Sequence, residues 1–152
     1  MLQRLFIFLI LNFIALALGG LFTGSGVSSE WYQALEKAPW TPPGWVFGAA
    51  WTSIMICFAF YMAHLVPKAK ETRTVALLFF LQWVLNIIWN PTFFYFQAVL
   101  PAFVFISSLT LLLIYMGYRY WDELGLKSLF LFPYIIWLLI ASSLNGYILM
   151  HN

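Results

Sequence analysis

An all-α integral membrane protein, folded as a bundle of five transmembrane helices, is predicted by three observations. The 152 residues are 64% hydrophobic and only 8% charged, with a mean hydropathy of +0.91, far outside the composition of a soluble domain. Several segments reach the roughly 20 apolar residues needed to cross a hydrocarbon core about 30 Å thick, and none contains Asp, Glu, Lys or Arg. These runs are apolar all round, whereas a transmembrane barrel would show short alternating segments with polar lumen positions.

The first helix is expected over 5–22. Arg4 followed by an apolar stretch and Ala17-Leu18-Gly19 loosely resembles a signal peptide, but the run continues through Phe22, longer than the apolar core of such a leader. The connection 24–43 is the only long one and is read as a lid loop. Within it 30–40 is too polar to span and too aromatic for a free linker, and Trp31, Leu35 and Trp40 can share one face of a short helix. Thr41 ahead of Pro42-Pro43 reads as an N-cap with prolines in the first turn, where a missing N–H costs nothing. The second helix is therefore expected over 44–66, and the remaining three over 75–96, 99–118 and 128–150. Their short links force antiparallel neighbours, so 1–152 forms a single membrane domain. The one cysteine, Cys57, excludes an intrachain disulfide.

Orientation follows from the basic residues. Arg4, Lys68, Lys70, Arg73, Arg119 and Lys127 fall on one side of the membrane and Lys37 alone on the other. The positive-inside rule makes the first side cytoplasmic, with the N-terminus inside and the C-terminus and first loop outside. This bias and the helical spans favour a bacterial inner membrane.

Spans without acids or bases lack the relays and ion sites usual in ion-coupled transporters. His64 lies about one turn from the cytoplasmic end of its helix, far from His151, and is read as an interfacial imidazole. No metal site and no nucleic-acid partner are expected.

The aromatic residues carry the functional signal. Trp31, Trp40, Trp45 and Trp51 stand in one 21-residue stretch together with Pro39, Pro42 and Pro43. An interfacial belt of indole accounts for Trp45 and Trp121 but not for deeper positions. Trp51 and Trp89 fall roughly 10 Å inside the outer end of their helices, and Trp137 roughly 20 Å. Phe47, Trp51, Met55, Phe58 and Met62 share one face of the second helix. Tyr134, Trp137, Ala141, Leu144 or Asn145, and Ile148 share one face of the fifth. On the third, Gln82, Asn86, Trp89 or Asn90, and Phe93 form a face whose amides cannot be left toward lipid. Each face alone reads as packing or interhelical hydrogen bonding. Together they read as an aromatic cavity suited to a flat hydrophobic ligand, with the segment above it as a lid.

The same residues carry a family resemblance. Trp31-Tyr32-x-x-Leu35-x-Lys37, Pro39-Trp40-x-Pro42-Pro43-x-x-x-Phe47 with Trp51, Asn86-x-x-Trp89-x-Pro91-x-Phe93-Phe94, and Pro133-Tyr134-x-x-Trp137-x-x-x-Ala141-x-x-Leu144-Asn145 resemble the TspO/MBR family of tryptophan-rich sensory and translocator proteins. The resemblance implies a five-helix bundle, often a homodimer, that binds protoporphyrin IX or a related tetrapyrrole non-covalently beneath the first loop. The implied pocket comprises Tyr32, Pro42, Phe47, Trp51, Met55, Asn86, Trp89, Trp137, Ala141 and Leu144, with Trp31, Tyr32 and Trp40 in the lid. It also implies light- and oxygen-dependent porphyrin breakdown in which Trp51 and Trp137 take part. No acid–base pair or nucleophile is present for conventional catalysis. A carrier of tetrapyrroles or other lipophiles, or a non-catalytic regulator acting through a partner, are the alternatives. This chain departs from the family at Lys37-Ala38-Pro39, where Lys-Pro is usual. It also lacks a Lys or Arg after Tyr147, which removes the sterol-recognition pattern of animal members.

Overall fold

Spans with no charge inside must satisfy their backbone internally, which only helices do in the absence of a closed barrel. The computed structural model describes residues 1–152 and consists of α1 (Leu2–Val27), α2 (Glu30–Ala34), α3 (Gly44–Leu65), α4 (Thr72–Phe94), α5 (Val99–Arg119), α6 (Trp121–Leu124) and α7 (Phe132–His151), with a 3₁₀ stretch at Gly125–Leu131 before α7. Five helices are long and apolar enough to cross a membrane. Around the bundle, α1 packs between α3 and α4, α4 packs on α5, α5 on α7, and α7 returns to α3.

Polar side chains cross-link the ring where lipid offers no alternative partner. Asn12 Nδ2 donates to Met55 O at 2.9 Å and Trp83 Nε1 to Leu11 O at 2.9 Å, tying α1 to α3 and α4. The Tyr134 hydroxyl donates to Gln82 Oε1 at 3.0 Å and the Tyr61 hydroxyl to Met116 O at 3.1 Å. The half of the bundle away from the 28–43 loop is solid. Phe58, Tyr61, Met62, Leu65, Leu113, Met116 and Tyr134 are fully buried there, and Phe58 stacks on both Tyr61 and Phe79, at centroid separations of 6.0 and 6.1 Å.

Several boundaries differ from the sequence-based expectation. Helix α1 runs on through Thr23-Gly24-Ser25-Gly26 to Val27, so residues 24–27 belong to it and not to the lid loop. Tertiary contact overrides the poor helix propensity of its glycines: Thr23 Oγ1 donates to Asn90 Oδ1 at 2.6 Å, and Gly26 lies flat against Phe94. Thr41 does not cap α3. Its hydroxyl turns back to Ala38 O at 2.7 Å, Pro43 takes the N-cap position, and both prolines precede the helix. The short helix α2 ends at Ala34, so Trp31 and Trp40 do not share a face. Trp31 meets Phe93 edge-on at 5.5 Å, while Trp40 meets Tyr147 at 5.5 Å. The last span begins as a 3₁₀ stretch after Gly125, which sits at φ 54°. It becomes α-helical at Phe132, with Pro133 in the first turn, where a proline is pre-organised.

The close approach of α1 and α4 rests on Gly26. A Cβ there would come within 2.5 Å of Phe94 Cβ and Cγ, so a side chain would have to part the helices. Gly26→Ala is expected to destabilise the fold by about 1–3 kcal/mol, the usual cost of overpacking. A lowered thermal unfolding midpoint in detergent is the measurement, and an unchanged midpoint would show that the helices separate freely there.

Candidate functional site

The halves of α1, α3 and α4 nearest the 28–43 loop, which caps them, do not meet in the middle. They leave a cavity of about 570 Å³, within the range of about 300–1,000 Å³ usual for small-molecule sites. The walls divide by element. Helix α1 contributes Ala15, Leu16, Gly19, Gly20, Thr23 and Gly24, α3 contributes Gly44, Phe47, Gly48 and Trp51, and α4 contributes Asn86, Trp89, Asn90 and Phe94. Tyr32, Gln33, Lys37, Thr41 and Pro42 form the roof.

Small residues on two walls make this space. Gly20 and Gly24 on α1, and Gly44 and Gly48 on α3, have no atom within 4 Å of where a Cβ would stand. Gly19 differs, since a Cβ there would meet Asn90 Nδ2 at 2.6 Å. Aromatic rings complete the lining. Trp89 stacks with Phe93 at 6.1 Å, Tyr32 packs against Phe94 at 5.6 Å, and Trp51 leans edge-on against Tyr134 at 5.9 Å.

The three amides of α4 have separate roles. Gln82 is consumed by the Tyr134 hydroxyl. Asn90 accepts from Thr23 and donates from Nδ2 to Asn86 O at 3.3 Å, which fixes α1 to α4. Asn86 lines the cavity and its side chain has no protein hydrogen bond, so it is the one of the three amides left open to the cavity. Trp89 Nε1 is buried without a partner as well.

Among the residues expected in the pocket, Tyr32, Pro42, Phe47, Trp51, Asn86 and Trp89 line the cavity. Met55, Trp137, Ala141 and Leu144 do not touch it. Met55 lies below, only 1% exposed, with its carbonyl held by Asn12. Trp137 is behind Phe47, in edge contact at 5.3 Å and 84°, with Nε1 unpartnered, and Ala141 and Leu144 continue the same buried face of α7. Trp51 therefore faces Tyr134, not Trp137, and the Phe47 ring separates Trp137 from the cavity. Sequence reasoning missed the α1 wall altogether. Its signal was the face Asn12, Ala15, Gly19 and Gly26, a polar and small-residue stripe on an otherwise bulky helix and the buried side of α1.

The 28–43 loop is fastened on one side. The Glu36 N–H donates to Asn152 Oδ1 at 2.8 Å while Asn152 Nδ2 donates to Glu36 O at 3.1 Å. Tyr147 Oη donates to Glu36 Oε1 at 3.3 Å, and Trp40 Nε1 to Ser143 Oγ at 3.1 Å. All these partners belong to α7 or its end, so Trp40 anchors the roof without entering the cavity. Trp31 and Tyr32 pack on Phe93 at the other edge. Burial raises the Tyr32 phenol above its ordinary value, so it stays neutral and able to donate near neutral pH. His64 is remote from all of this, its Nδ1 on Phe60 O at 2.7 Å and its ring stacked on Phe130 at 6.1 Å.

The sequence matches the TspO/MBR family model over residues 7–151. It is 37% identical over 136 residues to the tryptophan-rich protein TspO of Archaeoglobus fulgidus, covering 88% of this chain and 87% of that protein. It is 32% identical over 146 residues to the protein of the same name from Chlorobaculum tepidum, covering 91% of each. With the human translocator protein it shares 30% identity over 135 residues, 83% of this chain and 79% of the relative.

Proposed function

The chain belongs to the TspO/MBR family, and from that premise we propose that it binds a tetrapyrrole such as protoporphyrin IX in the cavity beneath the 28–43 loop. Binding would limit porphyrin photodamage or report porphyrin level. The observation that carries this reading is the cavity itself: Trp51, Phe47, Trp89 and Phe94 line it together with Gly20, Gly24, Gly44 and Gly48, whose missing side chains leave it open. Aromatic faces favour offset or edge contacts with a planar ring, and the unpaired Asn86 amide supplies one orienting polar contact.

The same site supports light- and oxygen-dependent degradation of the bound porphyrin. Indole is an easily oxidised donor, and Trp51 would lie against the macrocycle. Trp137 would join it once the Phe47 ring turned aside. In this reading the N-terminus is cytoplasmic, the lid lies on the far side of a bacterial inner membrane, and the protein is a homodimer. The bilayer is its solvent.

A titration of purified protein with protoporphyrin IX in detergent, in darkness and under illumination, tests the proposal. Saturable quenching of tryptophan fluorescence in the dark and faster porphyrin loss in the light are expected. Absence of any saturable binding would refute the reading. The name of the human relative keeps a carrier function as the second reading. The packed half around Phe58 and Tyr134 and the absence of an internal repeat count against alternating access. Liposome uptake beyond simple partitioning would favour it.

A further inference from the structure

The cavity holds one charged side chain, Lys37, which is also the sole Lys or Arg between Arg4 and Lys68. A lone cation at the mouth of an apolar chamber is costly unless something pairs with it. Nothing acidic in the protein does. The one ion pair in the structure is Arg119–Glu123, and the neighbouring Glu36 turns to α7, its carboxylate taken by Tyr147 and its backbone by Asn152. Glu30 is exposed at the start of α2.

The ammonium is held but not satisfied. Its Nζ rests over the Tyr32 ring at 4.7 Å from the centroid, and its two hydrogen bonds, to Gln33 O and Leu35 O, are both long at 3.4 Å. Two other roof groups have committed donors, Gln33 Nε2 to Val27 O at 2.7 Å and Thr41 Oγ1 to Ala38 O at 2.7 Å. Beside the neutral Tyr32 hydroxyl, Lys37 is thus the charged donor left for an anion arriving at the mouth.

We propose that Lys37 is the carboxylate anchor of this cavity, so that the site selects flat apolar ligands bearing an acidic group on one edge over uncharged ones. This inference rests on the tetrapyrrole reading above and specifies its recognition. With the acidic edge fixed at the mouth, the apolar edge points down toward Trp51 and Asn86. Lys37 therefore also decides which side of the macrocycle meets the indole. The cation–π contact with Tyr32 pre-positions the ammonium, and the half-buried setting strengthens its pairing with a carboxylate relative to a surface pair.

The test compares protoporphyrin IX with its dimethyl ester, titrated in the dark against wild type, Lys37→Met and Lys37→Arg. Comparing the acid-to-ester affinity ratio between variants cancels the different partitioning of the two ligands into micelles. The ratio is expected to fall about tenfold in Lys37→Met, the scale of one charge-assisted hydrogen bond, and to be kept in Lys37→Arg. Ester affinity should stay the same in all three, which also reports an intact fold. An acid-to-ester ratio unchanged by Lys37→Met, or equal weakening of both ligands, overturns the inference and leaves the tetrapyrrole reading standing. Failure of wild type to bind either porphyrin overturns both.

Discussion

Light-driven loss of protoporphyrin is expected to fall about tenfold in Trp51→Phe, a change of about 1.4 kcal/mol in the barrier, and to the rate of free porphyrin in micelles in Trp51→Phe with Trp137→Phe. The order follows from position. Trp51 lines the cavity, whereas Trp137 is shielded by Phe47, so Trp137→Phe alone should cost less. Phenylalanine keeps an aromatic ring at both sites but not the easily oxidised indole. It also removes no hydrogen bond at Trp137, whose Nε1 is already unpaired. Dark binding and the unfolding midpoint should therefore change little, apart from the smaller ring left in the tight setting of residue 137. Porphyrin absorbance under constant illumination is the readout. Undiminished degradation in the double variant would remove the indoles from the photochemistry.

The second large effect is expected at Gly48. Its Cβ position is open and Gly48 lines the cavity, so Gly48→Leu should fill space that a bound macrocycle would occupy. Affinity for protoporphyrin is expected to drop about a hundredfold, or about 2.7 kcal/mol. Stability should hold or rise, since glycine within a helix costs up to about 1 kcal/mol relative to better helix formers. This is the opposite of Gly26→Ala, where a single methyl group strikes Phe94. Loss of binding with gain of stability separates a blocked pocket from a damaged fold. Unchanged binding by Gly48→Leu would place the ligand elsewhere.

The five spans were legible because their charge-free length has one physical solution in a bilayer. The deep aromatic positions were legible too, since helical periodicity put Phe47 and Trp51, and Asn86 and Trp89, on single faces, and the structure turns those faces to the cavity. What periodicity could not supply was the neighbour of each face. Trp51 and Trp137 occupy comparable stripes, yet Trp51 lines the cavity while Trp137 packs behind the Phe47 ring. Nor does apolar periodicity mark a wall made of absent side chains. Gly20, Gly24, Gly44 and Gly48 contribute room, and room has no hydropathy. The end of α1 was hidden for a related reason: Thr23 to Gly26 have weak helix propensity, and their helical state depends on Asn90 and Phe94, more than 60 residues away in sequence.

The packed half of the bundle has a thermodynamic consequence. Phe58, Tyr61, Met62 and Tyr134 fill the bundle beyond the cavity, so a ligand that enters from the loop side has no passage through the protein to the other side. The occupancy of the cavity then follows ligand activity on the side from which it loads. Such a vessel can do no osmotic work, but it can serve as a gauge. A partner that distinguished the filled from the empty state of the 28–43 loop would read the porphyrin level of a single compartment.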